Sequence, residues 1–301
     1  MKPQVIGVGE VLWDQLPSGP QLGGAPGNFA HHARALGAQA RLISRVGHDE
    51  PGREIVRRFA DLGLAECALQ VDETAPTGKV TVALSGDGIP HFTIHEDVAW
   101  DRLVATPEAL ATARRADAIC FGSLAQRNEI SRAAIQALVA AAPATALRIF
   151  DINLRQHFYG REIIERSLEL ANVLKLNDCE LPVLAKLFHL LEDPPQQVAA
   201  LADRFDLSVV ALTRGAHGSL LYRGGQWSDC AARPVEVKDT VGAGDAFTAA
   251  LAIGLWLKMD LDEVHFAASE VARYVCSCAG ATPPLPESLT DLFKRNLGSD
   301  S

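Results

Sequence analysis

The chain reads as an α/β protein. The expected architecture is a three-layer αβα sandwich with a mostly parallel central sheet, plus a small β-sheet beside it. Three observations predict this. Short apolar segments rich in branched residues alternate with helical patterns along most of the chain, as they do when crossover helices cover a parallel sheet. Those short segments are apolar throughout, as strands buried on both faces are. One stretch, Gly78–Leu84, instead alternates with period two, which marks a strand with one wet face.

In order, Val5–Gly9 is the first strand and Val11–Leu16 a candidate strand of the small sheet. Asn28–Leu36 is a helix that Pro26 can start and Gly37 can end. Arg41–Val46 is a strand, and Arg53–Leu62 a helix closed by Gly63. Gly78–Leu84, a turn at Ser85–Gly88 and a return at Pro90–His95 form an antiparallel hairpin. Ala118–Phe121, Leu147–Asp151, Val173–Leu176 and Leu207–Leu212 are further buried strands, with helices at Glu129–Ala141, Glu162–Leu170 and Gln196–Arg204 between them. Ala246–Leu257 is apolar and free of proline, a buried helix starting near Gly242. A short polar tail, Gly298–Ser301, follows. We expect one domain over residues 1–301, with lid segments at about 11–22 and 77–100.

Composition narrows the function. The 301 residues are 48% apolar, enough for a sizeable core, and carry a formal net charge of −9 with no Lys/Arg cluster. That argues against a nucleic-acid surface. No apolar stretch is long and uncharged enough to span a bilayer, and the start of the chain looks like a strand rather than a signal peptide. The six cysteines are scattered, and Cys276-x-Cys278 is neither a zinc nor a redox spacing. A cytoplasmic location fits. The nine histidines offer no H-x-x-x-H set, so a transition-metal site is not expected.

Chemistry concentrates at Asp239-Thr-Val-Gly-Ala-Gly-Asp-Ala-Phe247. The first N–H groups of the following helix lack intrahelical partners and lie at the positive end of its dipole. Gly242, Ala243 and Gly244 leave them open to an anion, and Asp245 sets a carboxylate beside it. A phosphate cradle with an acid at its edge is what phosphoryl transfer to an alcohol requires. The bland alternative is a helix cap, worth about 0.5–2 kcal/mol.

Other fragments follow predicted strands. Gly23-Gly-Ala-Pro-Gly-Asn28, with Asp14, offers exposed backbone, an amide and a carboxylate, which suit a polyol; a glycine turn and a cap are the alternative. In Asp151-Ile-Asn-Leu-Arg155, the arginine suits a transferring phosphoryl group or an exposed carboxylate. Asn177 and Glu180 offer hard oxygens to magnesium through water, although an acid in a first helical turn is common. Thr213-Arg-Gly-Ala-His-Gly218 gives a nucleotide room to cross the backbone, or makes a tight turn. The dinucleotide G-x-G-x-x-G pattern fails after Gly7-Val-Gly9, and no G-x-x-x-x-G-K-[ST] exists.

This ordered set resembles the ribokinase-like, or PfkB-type, carbohydrate kinases. Gly23–Asn28, with Arg45–Gly52 behind it, looks like the N-terminal hallmark, and Asp239–Phe247 looks like the C-terminal one. The resemblance implies a ribokinase-like fold and ATP-dependent phosphorylation of a sugar's primary hydroxyl. It implies Asp245 as base, the amides of Gly242, Ala243 and Gly244 as anion hole, and Arg155 near the phosphoryl group. Asp14, Gly23, Gly24, Asn28 and Asn153 become sugar contacts. Lys175, Asn177, Thr213, Gly215, Gly218 and Ser269 fall to the nucleotide side, and Asn177 and Glu180 to magnesium. Asp239, Val241, Ala279 and Ala281 resemble a monovalent-cation site, usually potassium. The lid sheet implies a possible homodimer.

The Gly-Gly-Ala-Pro-x-Asn form and Asn153-Leu-Arg155 look most like fructokinases, and Ala25 replaces the lysine of ribokinases proper. Gly27, His48 and Ser269 also depart from the common pattern; Ser269 stands where a nucleotide-contacting asparagine is frequent. Fructose to fructose 6-phosphate is therefore the expected reaction. Kinases of 2-keto-3-deoxygluconate, ribose or a nucleoside, and a non-catalytic sugar sensor, are the alternatives.

Overall fold

The computed structural model describes residues 2–16, 19–64, 68–84, 90–190 and 193–294. The expected turn at Ser85–Gly88, the tail at Gly298–Ser301 and Cys67 lie outside them.

In chain order the described strands are β1 (Gln4–Val8), β2 (Leu12–Leu16), β3 (Gly19–Gly23), β4 (Gln39–Gly47), β5 (Ala68–Asp72), β6 (Gly78–Leu84) and β7 (Pro90–Ile94). Then come β8 (Ala118–Phe121), β9 (Leu147–Asp151), β10 (Val173–Asn177), β11 (Val209–Thr213), β12 (Ser219–Arg223) and β13 (Gln226–Cys230). The main sheet runs β13-β12-β11-β10-β9-β8-β1-β4-β5. It is parallel from β11 to β5, while β12 and β13 close one edge antiparallel.

Helices α1 (Ala25–Ala35), α2 (Glu50–Asp61), α3 (Pro107–Ala113), α4 (Glu129–Ala141) and α5 (Arg161–Leu170) are followed by α6 (Leu181–Phe188) and α7 (Pro194–Phe205). The last three are α8 (Ala243–Trp256), α9 (Leu261–Cys276) and α10 (Glu287–Lys294). Alternate residues of each central strand feed the two cores. Ile119, Phe121, Phe150, Leu174 and Leu212 pack under α3 to α7. Ala118, Cys120, Ile149, Val173 and Ala211 pack under α1, α8, α9 and α10. The small side chains on that second face let α8 sit close to the sheet. An added Cβ on Gly254 would stand 2.2 Å from Val264 Cγ2, so α8 and α9 also approach closely. A helix apolar all round has to be buried in this way.

The chain leaves β1 toward β4 and later returns to β8 on the other side of β1. That reversal opens a crevice at the strands' C-terminal ends, where open α/β sheets bind ligands.

The second sheet has the order β3-β2-β6-β7. Both of its hairpins are antiparallel, but β2 and β6 pair in parallel, Leu12 opposite Gly78. Trp13 Nε1 donates to Pro51 O (3.0 Å), tying β2 to α2. Arg127 grips the chain leaving β7. Its Nη2 donates to His95 O (2.5 Å), its Nε and Nη2 meet Asp101 at 2.8 Å each, and its plane lies 4.0 Å from the Trp100 ring centroid.

Two departures from expectation have local causes. Helix α2 begins at Glu50, ahead of Arg53, because Asp49 Oδ1 accepts from Gly52 N–H (2.8 Å) and caps it. The strand expected from Leu207 starts at Val209, since Asp206, at φ 53°, and Leu207 still close α7.

Candidate active site

The α8 N-terminus is built by backbone geometry. Gly242 caps it at φ 78°, and an added Cβ there would lie 2.4 Å from Ala281 O, so only glycine fits. Ala243 N–H donates to Thr240 O (3.3 Å). The N–H groups of Gly242 and Gly244 have no partner among the described residues. All three residues are half-buried, so the helix start is open rather than packed shut.

Asp245 stands in that first turn and accepts from Asn28 Nδ2 (2.8 Å). Asn28 is buried on α1, whose N-cap Gly24 has φ 117° and would bring a Cβ within 2.6 Å of Glu10 O. Thus the two glycine-rich segments, far apart in sequence, meet side chain to side chain. Burial, then the nearby Asp151 charge, push Asp245 up to about 6, against Asn28, Lys175 and Arg155.

Behind this turn lies a buried ion pair, Lys175 Nζ to Asp151 Oδ1 at 3.0 Å. Thr248 Oγ1 donates to the other Asp151 oxygen (2.8 Å). A Cβ on Gly244 would meet Lys175 Nζ at 2.9 Å, so the ammonium sits directly beneath the open amides. Burial works against the charge on Lys175, but Asp151, Glu180 and Asp245 outweigh it and raise its pKa.

The turn after β9 bends through two left-handed residues, Asn153 (φ 45°) and Gln156 (φ 48°). Such strain in non-glycine residues is characteristic of functional sites. It presents Arg155, exposed, near enough to lower the pKa of Asp245, Asp14 and Glu10 alike. Asp14 lies on β2 opposite Gln21, and a Cβ on Gly23 would stand 2.3 Å from its Oδ2. Burial raises the Asp14 pKa against the pull of Arg155.

Asn177 ends β10 beside Thr213 of β11. Its Oδ1 accepts from Cys179 and Glu180 N–H (both 2.9 Å), and the Glu180 carboxylate accepts from Leu154 (2.9 Å) and Asn177 (2.8 Å) N–H. Both side chains are committed to backbone. They fit a hydrated magnesium ion, reached through water, and not one that strips them. They line a cavity of about 330 Å³ with Arg155, Gln156 and Tyr159. A second cavity of about 420 Å³, at the starts of α4 and α5, shares Tyr159 with the first.

The Thr213–Gly218 segment turns through Gly215 (φ 53°) and Gly218 (φ 85°), where a Cβ would strike Cys230 O at 2.0 Å. Ser269 Oγ reaches this turn through Ser219 Oγ (3.3 Å). The 239–241 and 280–281 segments are drawn together by Asp239, whose oxygens accept from Val241 (3.0 Å) and Gly280 (3.1 Å) N–H. Main-chain carbonyls in such paired loops suit a large monovalent cation. One of them, Ala281 O, already lies 2.9 Å from His32 Nε2.

Three residues of the cleft escaped the sequence reading as site members. Asp151 is visible only as the partner of Lys175, and Thr248 only as a donor to Asp151, although a lysine inside the apolar run Val173–Leu176 was itself a sign of a buried acid. Glu10, just after β1 at the sheet's reversal, is 4% exposed, and its Oε2 has no partner among the described residues. Burial raises its pKa.

Comparison with known proteins places the chain in one family and fold. The chain is 32% identical over 266 residues to a fructokinase of Klebsiella pneumoniae, covering 85% of each chain. It superposes on a sugar kinase of Pyrococcus horikoshii solved in complex with ATP, with TM-score 0.75, 26% identity and coverage of 92% and 94%. A fructokinase of Xylella fastidiosa with bound ATP shares the fold, with TM-score 0.83, 22% identity and coverage of 99% and 100%. The model of the pfkB family carbohydrate kinases matches residues 20–288, which takes in both glycine-rich segments and the cleft between them: the chain belongs to the pfkB family of carbohydrate kinases.

Proposed function

We propose that the protein transfers the γ-phosphoryl group of ATP to the primary hydroxyl of fructose, giving fructose 6-phosphate. The observation that carries this reading is the Asn28–Asp245 hydrogen bond, which joins the helix after the sugar-side glycines to the open first turn of α8. Asp245 accepts the hydroxyl proton. A base near neutrality is enough, because a loose phosphoryl transition state needs orientation more than strong proton abstraction. The free amides at Gly242 and Gly244, with Lys175 beneath them, hold the phosphoryl charge. A donor so placed contributes about 2.7–4 kcal/mol in a closed site. Arg155 neutralises charge from the opposite side of the cleft.

Asp14, Gly23, Gly24, Asn28 and Asn153 bind and orient the sugar. Thr213, Gly215, Gly218 and Ser269 take the nucleotide. Magnesium reached through Asn177 and Glu180, and potassium at Asp239, Val241, Ala279 and Ala281, would supply charge neutralisation and a fixed loop geometry. The small sheet acts as a lid that excludes water as competing acceptor. Its exposed Phe92 suits contact with a second copy, and a homodimer through the lids is part of the proposal.

Kinase assays with coupled ADP detection on fructose, ribose, adenosine and 2-keto-3-deoxygluconate test the reading. Fructose should give the highest kcat/KM. The sugar acid is the second reading, because Arg155 is exposed and makes no ion pair among the described residues, which leaves it free for a substrate carboxylate. Preference for the sugar acid would shift the assignment to that substrate. Turnover of adenosine alone would make it a nucleoside kinase, and no turnover of any of the four would leave the sensor.

A further inference from the structure

Five side chains on the sheet's antiparallel edge and on α9 form one continuous hydrogen-bonded chain. Ser228 Oγ lies 2.5 Å from Asp262 Oδ1, and His265 Nδ1 lies 2.9 Å from Ser228 Oγ. His265 Nε2 lies 2.7 Å from Ser219 Oγ, which lies 3.3 Å from Ser269 Oγ. Ser219, Ser228 and His265 are buried. At the two ends, Asp262 is exposed and Ser269 half-buried.

The direction of every bond follows from one end. A carboxylate only accepts, so Ser228 must give Asp262 its single proton. Ser228 Oγ can then only receive from the ring, which places the imidazole proton on Nδ1. Burial holds the His265 pKa down at about 4, so the ring is neutral at working pH and Nε2 is bare. Ser219 must donate to Nε2 and is left able only to accept from Ser269. All the protons therefore point toward Asp262, and the half-buried Ser269 oxygen keeps its lone pairs for an outside donor. Ser219 pairs with Thr213 across the β11–β12 ladder, so that outlet lies beside the turn assigned to the nucleotide.

We propose that Asp262, Ser228, His265 and Ser219 are positioning residues that fix the Ser269 hydroxyl as an acceptor, selecting a purine with an amino group at C6 over one with a carbonyl there. The proposal rests on the nucleotide reading of Thr213–Gly218 and Ser269. A buried serine–histidine pair is satisfied without Asp262. The bond to the exposed carboxylate adds direction, and with it discrimination between adenine and guanine edges.

Two measurements on the full-length protein test it. Nitrogen-15 NMR of the His265 ring at neutral pH should show a protonated Nδ1 and a bare Nε2; the opposite tautomer overturns the proposal without touching the kinase reading. Asp262→Ala, at an exposed position, releases the tautomer. The ratio of kcat/KM for ATP over GTP should then fall at least about fivefold through KM, while kcat and the sugar KM stay within about twofold, the size expected when one recognition bond loses its polarity. Ser228→Ala should do the same, and Ser228→Thr should restore the ratio. A ratio unchanged in a folded Asp262→Ala overturns the proposal. Turnover with no nucleoside triphosphate at all overturns the kinase reading and this one with it.

Discussion

Asp245 is held at a pKa of about 6, first by burial and then by the Asp151 carboxylate behind it. In its proposed role as base it works only when ionised, so kcat/KM should rise through a single limb near pH 6 and level off above it. The same shift bears on stability. Between about pH 4 and 6 the folded protein keeps a proton that the unfolded chain has lost, so this group's contribution falls as pH rises through that window. Asp245→Asn keeps an acceptor for Asn28 and removes the charge. It should lower kcat by at least about two orders of magnitude while raising stability at pH 7 by about 1–3 kcal/mol. An unchanged kcat would reduce Asp245 to a cap. At this scale the sequence was legible where the pattern is contiguous: Gly242, Gly244 and Asp245 mark the open start of α8 within one turn. It was silent where partners lie far apart, as with Asp151, which meets Lys175 across 24 residues and Thr248 across 97. Pairing at such distances depends on strand order, which no local pattern encodes.

Elements explain why those residues stay in place. The α8 start depends on Gly242 at φ 78°, packed against Ala281 O. Gly242→Ala forces a Cβ into both constraints. It should cost about 1–3 kcal/mol of stability, with a larger loss in kcat than in the sugar KM, because the amides move and the proposed sugar contacts on β2 and α1 do not. Stopped-assay kinetics and denaturant midpoints separate the two effects. The small sheet hangs from Arg127, clamped to Asp101 and stacked on Trp100. Asp101→Ala strands a buried guanidinium and should destabilise the fold by about 3–5 kcal/mol. The urea midpoint should drop with its slope unchanged, and a drop within error would show the clamp to be dispensable. Runs such as Ala118–Phe121 and Leu147–Asp151 were legible to the residue, since they are too short for a buried helix and rich in strand-forming residues. The edge pair β12–β13 was not, although Gly224-Gly225 joins it at φ 53° and 85°. The buried Ser219–Leu221 stretch is short, and the mostly exposed Gln226–Cys230 mixes polar and aromatic residues without clean alternation.

Across the whole molecule, the titratable groups divide by place. Burial raises the site carboxyls Glu10, Asp14, Glu180 and Asp245, whereas the framework carboxyls Asp49 and Asp72 are lowered. For Asp72, burial is outweighed by the Ala75 and Thr74 N–H groups, the Thr74 hydroxyl and Arg45, which bring it to about 2. That contribution is full above about pH 4 and is lost as pH falls toward 2. Before this, the buried histidines act. His32 is pushed down to about 4 by burial and by His31 beside it, against the Ala281 carbonyl. Below about pH 6.5 the unfolded chain binds a proton that the folded ring refuses, so stability drains away as pH falls toward 4. The raised Asp245 works in the opposite sense between about pH 4 and 6, so a pH profile of the parent protein alone blends both. A variant separates them. His32→Gln retains a donor for Ala281 O and cannot titrate. Relative to the parent, its stability loss between pH 7 and 4 should be smaller by about 1–3 kcal/mol, measured by urea unfolding at each pH. Parallel curves for the two proteins would mean that His32 charges in place, and that the packing of α1 against the 280–281 loop yields to solvent before the rest of the fold does.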